Sequence, residues 1–293
     1  MHKTKIGVMG LGMVGGAVAK FFQKQGYVMG QDLFGFDPGK EMNDMTEINA
    51  KADVIFVCVP TPYHTDPENG IVGHDLSYVR DAFSRLDGAK TIVIKSTVLP
   101  GTTDQMAAEF PQHRVLFNPE FLTEETADQD MSFPDRQIVG YTSEASHRVA
   151  KDVLLLLPLA PYERVLKAKE AEMVKYYGNT WFAVKVVFAN QMFDMCKAIG
   201  VDYDAVKEGA AADKRIGSTH LTVWHKGYRG YGGKCLPKDT RALIQLGDQV
   251  NCEMQLLKTV EDINNGLVAS QGLKAKEVEK GTGIQHKIEK ASA

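Results

Sequence analysis

Six residues, Gly10-Leu11-Gly12-Met13-Val14-Gly15, set three glycines at the spacing of a pyrophosphate-binding turn. They follow an apolar run, Ile6 to Met9, and open a helical pattern that reaches about Gln25. There Gly10 permits the tight turn, Gly12 lets a pyrophosphate approach the backbone, Gly15 allows close helix packing, and the helix N-terminus faces the phosphates. Asp37 lies 22 residues beyond Gly15, at the end of the second strand. Its carboxylate would accept bonds from an adenosine ribose and repel a 2′-phosphate, which favours NAD over NADP. A lone glycine pattern would equally make an ordinary turn, but strand, helix and acid together favour the cofactor.

Other residue types also carry chemistry. Lys175 and Asn179 stand four apart in a helical stretch and share a face, an arrangement that is ordinarily just solvated. The four cysteines, Cys58, Cys196, Cys235 and Cys252, form no C-x-x-C pair and have no neighbouring His suited to zinc. No metal site or disulfide framework is expected, and most such thiols are small buried hydrophobes.

The elements that must position these residues alternate strand and helix from Lys5 to Val139, the pattern of a doubly wound α/β sheet of Rossmann type. Strands are expected at Ile6 to Met9, Leu33 to Phe36, Val54 to Val59, Thr91 to Lys95, Val115 to Phe117 and Gln137 to Val139. Several lack polar alternation, as parallel strands buried on both faces do. Val59-Pro60-Thr61-Pro62 closes the third strand and Ser96-Thr97 the fourth. Those carboxyl ends line the ligand crevice, so Val59, Pro60, Thr61, Ser96 and Thr97 are expected cofactor contacts.

A long helix is predicted from Lys169 to Ile199, stopped by Gly200, with Val174, Trp181, Phe188 and Met195 seven apart. A smaller all-helical domain follows, with a loop from Lys214 to Asp239 and a helix from about Arg241 to Ile263. The expected division is residues 1–165, 166–266, and a loosely ordered polar tail over 267–293.

Composition excludes several classes. Dividing 293 residues by roughly 150 gives about two domains. Apolar residues at 44% and charged residues at 24% match ordinary globular usage. A net charge of −3 offers no basic excess for a nucleic-acid backbone. The most apolar stretch, Val153 to Leu159, is broken by Pro158 and is far shorter than the ~20 residues of a membrane-spanning helix. The N-terminus lacks a signal peptide's cleavage region, so a cytoplasmic location is expected.

Four further segments, with the glycine fingerprint, resemble the nucleotide-sugar (UDP-glucose/GDP-mannose) dehydrogenase family. They are Ser96-Thr97-Val98-Leu99-Pro100-Gly101-Thr102-Thr103, Asn118-Pro119-Glu120-Phe121-Leu122-Thr123-Glu124, Ala171-Glu172-Met173-Val174-Lys175 continuing to Asn179, and Gly230-Tyr231-Gly232-Gly233-Lys234-Cys235-Leu236-Pro237-Lys238-Asp239. The likeness covers residues 5 to about 265, and the last segment is the most diagnostic.

The resemblance implies oxidation of a sugar's primary alcohol to a carboxylate by two NAD molecules in succession, with UDP-glucose as the default substrate. An aldehyde yields hydride only once a nucleophile has made it tetrahedral, and a thiolate does so and leaves a hydrolysable thioester. Cys235 matches the family's nucleophile, with Lys234 and Lys238 favouring the thiolate. Lys175 and Asn179 match the pair that stabilises the oxyanion. Glu120 matches the base for thioester hydrolysis, with Thr97 and Asp239 positioning water. Glu124 matches a substrate and cofactor contact. Phe121, Leu122, Tyr231, Gly232 and Gly233 fall in the substrate-binding segments, and the two glycines let the backbone approach the substrate. Arg215, in Asp213-Lys214-Arg215-Ile216-Gly217, matches an arginine that reaches the neighbouring subunit's substrate. A homodimer through the central helix is therefore implied.

Two departures stand out. The stretch from Pro38 to Asp53 is shorter than the family's excursion there, and the family's further α/β domain has no counterpart in strand runs after Gly266. Two rivals follow. A two-electron β-hydroxyacid-type dehydrogenase would give Cys235 no role, and a non-catalytic NAD-binding subunit would have no need of the whole residue set.

Overall fold

Short apolar runs of the N-terminal half become strands because helices cover both of their faces. A computed structural model describes residues 3–68 and 71–280, and the chain divides into two units, Met1–Lys175 and Tyr176–Ala293. The first unit begins with β1 (Ile6–Met9), α1 (Met13–Lys24), β2 (Leu33–Phe36), a 3-10 turn (Pro38–Lys40), α2 (Thr46–Lys51) and β3 (Val54–Val57). A hairpin of β4 (Tyr63–Glu68) and β5 (Ile71–His74) precedes α3 (Ser77–Ser84), β6 (Thr91–Ile94), α4 (Thr102–Glu109) and β7 (Arg114–Phe117). Then come α5 (Ala127–Ser132), β8 (Arg136–Tyr141), α6 (Glu144–Leu156) and β9 (Tyr162–Lys167).

Seven strands form one sheet in the order β2-β1-β3-β6-β7-β8-β9, with every pair parallel except β7 against β8. This is the doubly wound architecture expected. Chain order reverses between β1 and β3, so the ligand crevice of such a sheet falls at their carboxyl ends. Along β3, Val54 and Phe56 enter one core while Ile55 and Val57 enter the other. That alternation is the pleat itself, and it explains why the strand carries no polar residue.

β9 and the hairpin were not expected. β9 is an edge strand whose Glu163, Arg164 and Lys167 interrupt the apolar run by which the other strands are recognised.

The long helix α7 (Ala168–Ile199) begins in the first unit and continues into the second. There follow α8 (Tyr203–Ala211), a two-stranded ribbon of β10 (Trp224–His225) and β11 (Tyr228–Arg229), α9 (Leu236–Gln249), α10 (Gln255–Ser270) and α11 (Ala275–Lys280). The ribbon adds to the all-helical expectation. Ala183, Val186 and Val187 of α7 pack with Tyr231 and Val260, whereas Trp181, Phe188 and Met195 are exposed.

The single helix expected from Arg241 to Ile263 is in fact two. Asn251 turns left-handed (φ 55°), and a Cβ on Gly247 would lie 2.7 Å from the Cys252 carbonyl oxygen, so α9 ends in a tight turn. The expected loose tail is also corrected for residues 267–280. Val268 and Val278 are buried with Tyr228 and Leu273, which gives α10 and α11 an apolar side to bury. Residues 281–293 of that expectation lie outside the described residues.

Candidate active site

The glycine turn follows from local sterics. Gly10 has φ +83°, and a Cβ on it would meet the Cys58 carbonyl oxygen at 2.6 Å. A Cβ on Gly15 would lie 1.8 Å from the Gly10 carbonyl oxygen, so this glycine is what lets α1 start directly above β1. Gly12, the N-cap of α1, has nothing within 4 Å of a Cβ. Beside it lies a cavity of about 540 Å³ lined by Leu11, Gly12, Met13, Lys20, Lys40 and Glu124.

Asp37 Oδ2 accepts from the Leu11 N–H at 2.7 Å and Oδ1 from the Gly39 N–H at 3.0 Å. The carboxylate expected at a ribose thus anchors the glycine turn to the end of β2. Sequence reasoning missed Lys40, whose Nζ donates to the Leu11 carbonyl at 2.5 Å. The signal was available, since Lys40 is the only cation in the short stretch between Asp37 and α2. An open glycine cradle, a helix N-terminus with no acidic residue in its first turn, and Lys40 beside the turn fit a dinucleotide diphosphate, while Lys20 on the same cavity is paired with Asp128.

The other strand ends are tied together at the crevice. Thr61 Oγ1 donates to the Thr97 carbonyl at 2.7 Å, and Ser96 Oγ donates to the Val59 carbonyl at 2.7 Å. Pro60 lies between Val59 and Thr61 in this tied segment. Val14 is partly buried and packs against the core on its side of the sheet.

After β7, Asn118 is fully buried and Glu120 nearly so. Glu120 Oε1 lies 2.7 Å from Lys175 Nζ, with 6% and 5% of the two side chains exposed, and Glu120 Oε2 accepts from the Leu122 N–H at 2.9 Å. Phe121 lies under the Arg136 guanidinium, 3.9 Å from its ring centroid. Glu172, one turn before Lys175, accepts from Gly101 N–H at 2.6 Å, Thr103 N–H at 2.8 Å and Thr103 Oγ1 at 2.6 Å. It caps α4 and so fixes the segment containing Thr97. Burial raises its carboxyl to about 7.

In the second unit, Asn179 Nδ2 donates to Asp239 Oδ2 at 2.5 Å, and Lys238 Nζ pairs with Asp239 Oδ1 at 2.5 Å. Asp239 is buried on α9. Cys235 is exposed at the N-cap of α9. Cys58 is the contrast, because burial pushes its thiol up to about 12. Cys196 is buried as expected, but Cys252 is exposed because it sits in the turn between α9 and α10.

Two neighbours of Cys235 differ from expectation. The Tyr231 ring is core, and its backbone N–H and carbonyl are both held by Asn264. A Cβ on Gly232 would meet Val278 Cγ1 at 2.2 Å, so this glycine makes room for α11. Gly233, at φ +70°, has open space instead. Arg215 is exposed and held by Asp213, with its Nη2 2.5 Å from Asp213 Oδ2.

Among the described residues, no group of three or more His, Cys, Asp or Glu is arranged to hold a metal ion. No described helix is long and apolar enough to cross a membrane.

An open, mostly parallel sheet with a glycine turn at its switch point defines a dinucleotide-binding protein of Rossmann type, here joined to a helical unit. Two domain models of one family match the chain: the NAD binding domain over residues 39–155 and the central domain over residues 169–266. The chain therefore belongs to the UDP-glucose/GDP-mannose dehydrogenase family.

UDP-glucose 6-dehydrogenase YwqF of Bacillus subtilis is 36% identical over 230 residues, covering 74% of this chain and 49% of that protein. A UDP-glucose dehydrogenase structure from Pyrobaculum islandicum superposes with a TM-score of 0.77 at 30% identity, covering 92% of this chain and 70% of that one. A 3-hydroxyisobutyrate dehydrogenase from Mycobacterium tuberculosis superposes over 100% of both chains with a TM-score of 0.70 at 17% identity, a likeness of fold alone. The chain spans about half the length of the curated relatives it matches.

Proposed function

We propose that this chain catalyses NAD-dependent oxidation of a nucleotide sugar's primary alcohol to the carboxylate, with UDP-glucose as the first substrate to test. The observation that carries the reading is the buried Glu120–Lys175 pair, a carboxylate and an ammonium 2.7 Å apart in a member of a dehydrogenase family. In this reading residues 1–165 hold the cofactor and 166–266 act on the substrate. NAD, when bound, accepts the hydride in each of the two oxidations.

The residue roles follow from charge and reach. Gly10 to Gly15 and Lys40 hold the diphosphate, and Asp37 lies where the adenosine ribose would sit. Lys175 and Asn179 donate to the alkoxide or oxyanion oxygen on the reacting carbon. Cys235, as thiolate, adds to the aldehyde carbon, and the resulting alkoxide oxygen takes up the proton that the thiol gave up on ionising, to give a thiohemiacetal. Loss of hydride from that carbon, with return of the hydroxyl proton to a base, leaves a thioester. Glu120 takes a proton from water as it attacks the thioester, and the sulfur departs as thiolate. Thr97 and Asp239 position that water, and Glu124 contacts substrate and cofactor. Arg215 reaches the substrate of a partner subunit, with the exposed side of α7 as the dimer contact. The reaction is assigned to the cytoplasm.

Cys235→Ser tests the chemistry, because an alkoxide is far harder to generate than a thiolate. The variant is expected to bind NAD and lose acid formation. Undiminished acid production by Cys235→Ser contradicts the assignment.

A further inference from the structure

Lys95 follows β6 at the carboxyl end of the sheet, and only 3% of it is exposed. Its ammonium donates to Asn118 Oδ1 at 2.6 Å, a neutral acceptor, and among the described residues no carboxylate lies within ion-pair distance of it. Asn118 cannot turn away. Its Nδ2 donates to the Ile138 carbonyl at 2.8 Å and to Gln137 Oε1 at 3.2 Å, which leaves Oδ1 facing the lysine.

A buried ammonium without a counter-ion is costly, and an apolar side chain of similar length would fill the same space at lower cost. The charged or titratable groups whose fields reach Lys95 are Cys58 from beyond β3, Glu120 from beyond β7 and Lys175 from α7. Cys58 is neutral at physiological pH, and Glu120 is already paired with Lys175. Among the described residues, Glu120 of this cluster is ion-paired with Lys175, and Lys95 is held by a neutral amide alone.

We propose that Lys95 is a positioning residue that acts through this cluster, adding a buried positive charge with no ion-pair partner of its own that favours an anion at the reacting carbon. The inference rests on the dehydrogenase reading above and adds to it a group that does not touch substrate. Burial lowers Lys95 to about 8, so its charge is present at neutral pH and lost as pH rises further.

The test is kcat and KM from pH 6 to 10 for wild type and Lys95→Met, with NAD and the nucleotide sugar that the wild type turns over fastest. The variant is expected to lose about tenfold or more in kcat with little change in KM. It should also lack the wild type's decline in kcat above about pH 8. A role in packing alone would lower thermal stability and leave the shape of the pH profile intact. That result, or an unchanged kcat, overturns the proposal while the dehydrogenase reading stands. Wild type that reduces no NAD with any UDP- or GDP-sugar removes the dehydrogenase reading itself and the Lys95 role with it. If Lys95→Met does not fold by circular dichroism, the wild-type profile decides. A kcat that stays level through pH 9 overturns the role, and a fall centred near pH 8 without loss of NAD affinity supports it.

Discussion

The Lys175 ammonium stands 2.7 Å from the Glu120 carboxylate, and the protein shields both almost completely from water. A pair buried this deeply has little net effect on stability but is costly to break, because the survivor loses its ion-pair partner and Glu120 would keep only the field of Lys95. Lys175→Met is therefore expected to destabilise the protein by about 3–5 kcal/mol in denaturant unfolding. The double variant Lys175→Met/Glu120→Leu should recover much of that loss and none of the activity. A single variant as stable as wild type would show that the pair is not buried in solution.

Two glycines of the turn, Gly12 and Gly15, should separate folding from cofactor binding. A Cβ on Gly15 would lie 1.8 Å from the Gly10 carbonyl oxygen, whereas one on Gly12 meets nothing within 4 Å. Gly15→Ala is expected to lower stability by about 2 kcal/mol or more. Gly12→Ala should cost about 1 kcal/mol or less as an N-cap change, yet weaken NAD binding about tenfold or more by crowding the diphosphate. Thermal unfolding and NAD titration calorimetry on both variants check this, and equal effects of the two on NAD affinity at equal stability would contradict it.

Much of this arrangement was legible in the residues. Strands such as β1 and β3 could be read because parallel strands covered on both faces must be apolar throughout. The break between α9 and α10 could not, since it depends on Asn251 turning left-handed and on Gly247 admitting the Cys252 carbonyl. The cofactor turn was readable because its glycines answer to local sterics. Glu172 and Lys95 were not, because their significance lies in burial beside Thr103 and Asn118, partners distant in the chain. The room that Gly232 makes was not legible for the same reason: the side chain it admits, Val278, comes from a helix 46 residues later.

Glu172 predicts a pH dependence of stability. Burial raises its carboxyl from 4.5 to about 7, although Gly101 and Thr103 donate to it. The folded state therefore holds a proton that the unfolded state has released between those values. The associated stability is complete below about pH 4.5 and is lost as pH rises through about 7. Denaturant unfolding at pH 5 and pH 8 should show wild type losing about 2–3 kcal/mol from this group. Glu172→Gln should flatten that slope, and an equally steep slope in the variant would contradict the assignment.

Tyr177, Trp181, Phe188 and Met195 are exposed on α7 at near-heptad spacing. An apolar stripe of this kind on a long helix suits a second copy of the same helix. Sedimentation velocity is expected to find wild type dimeric at micromolar concentration and Phe188→Asp monomeric. A monomeric wild type would remove the proposed role of Arg215 at a partner's substrate.

The central claim is that one site carries a sugar alcohol through two oxidations to the acid. Its most direct test is to count the NADH formed per UDP-glucose consumed under excess NAD and to weigh the product by mass spectrometry. Two NADH for each sugar and a uronic acid product are expected. One NADH for each sugar, with a ketone as product, would contradict it.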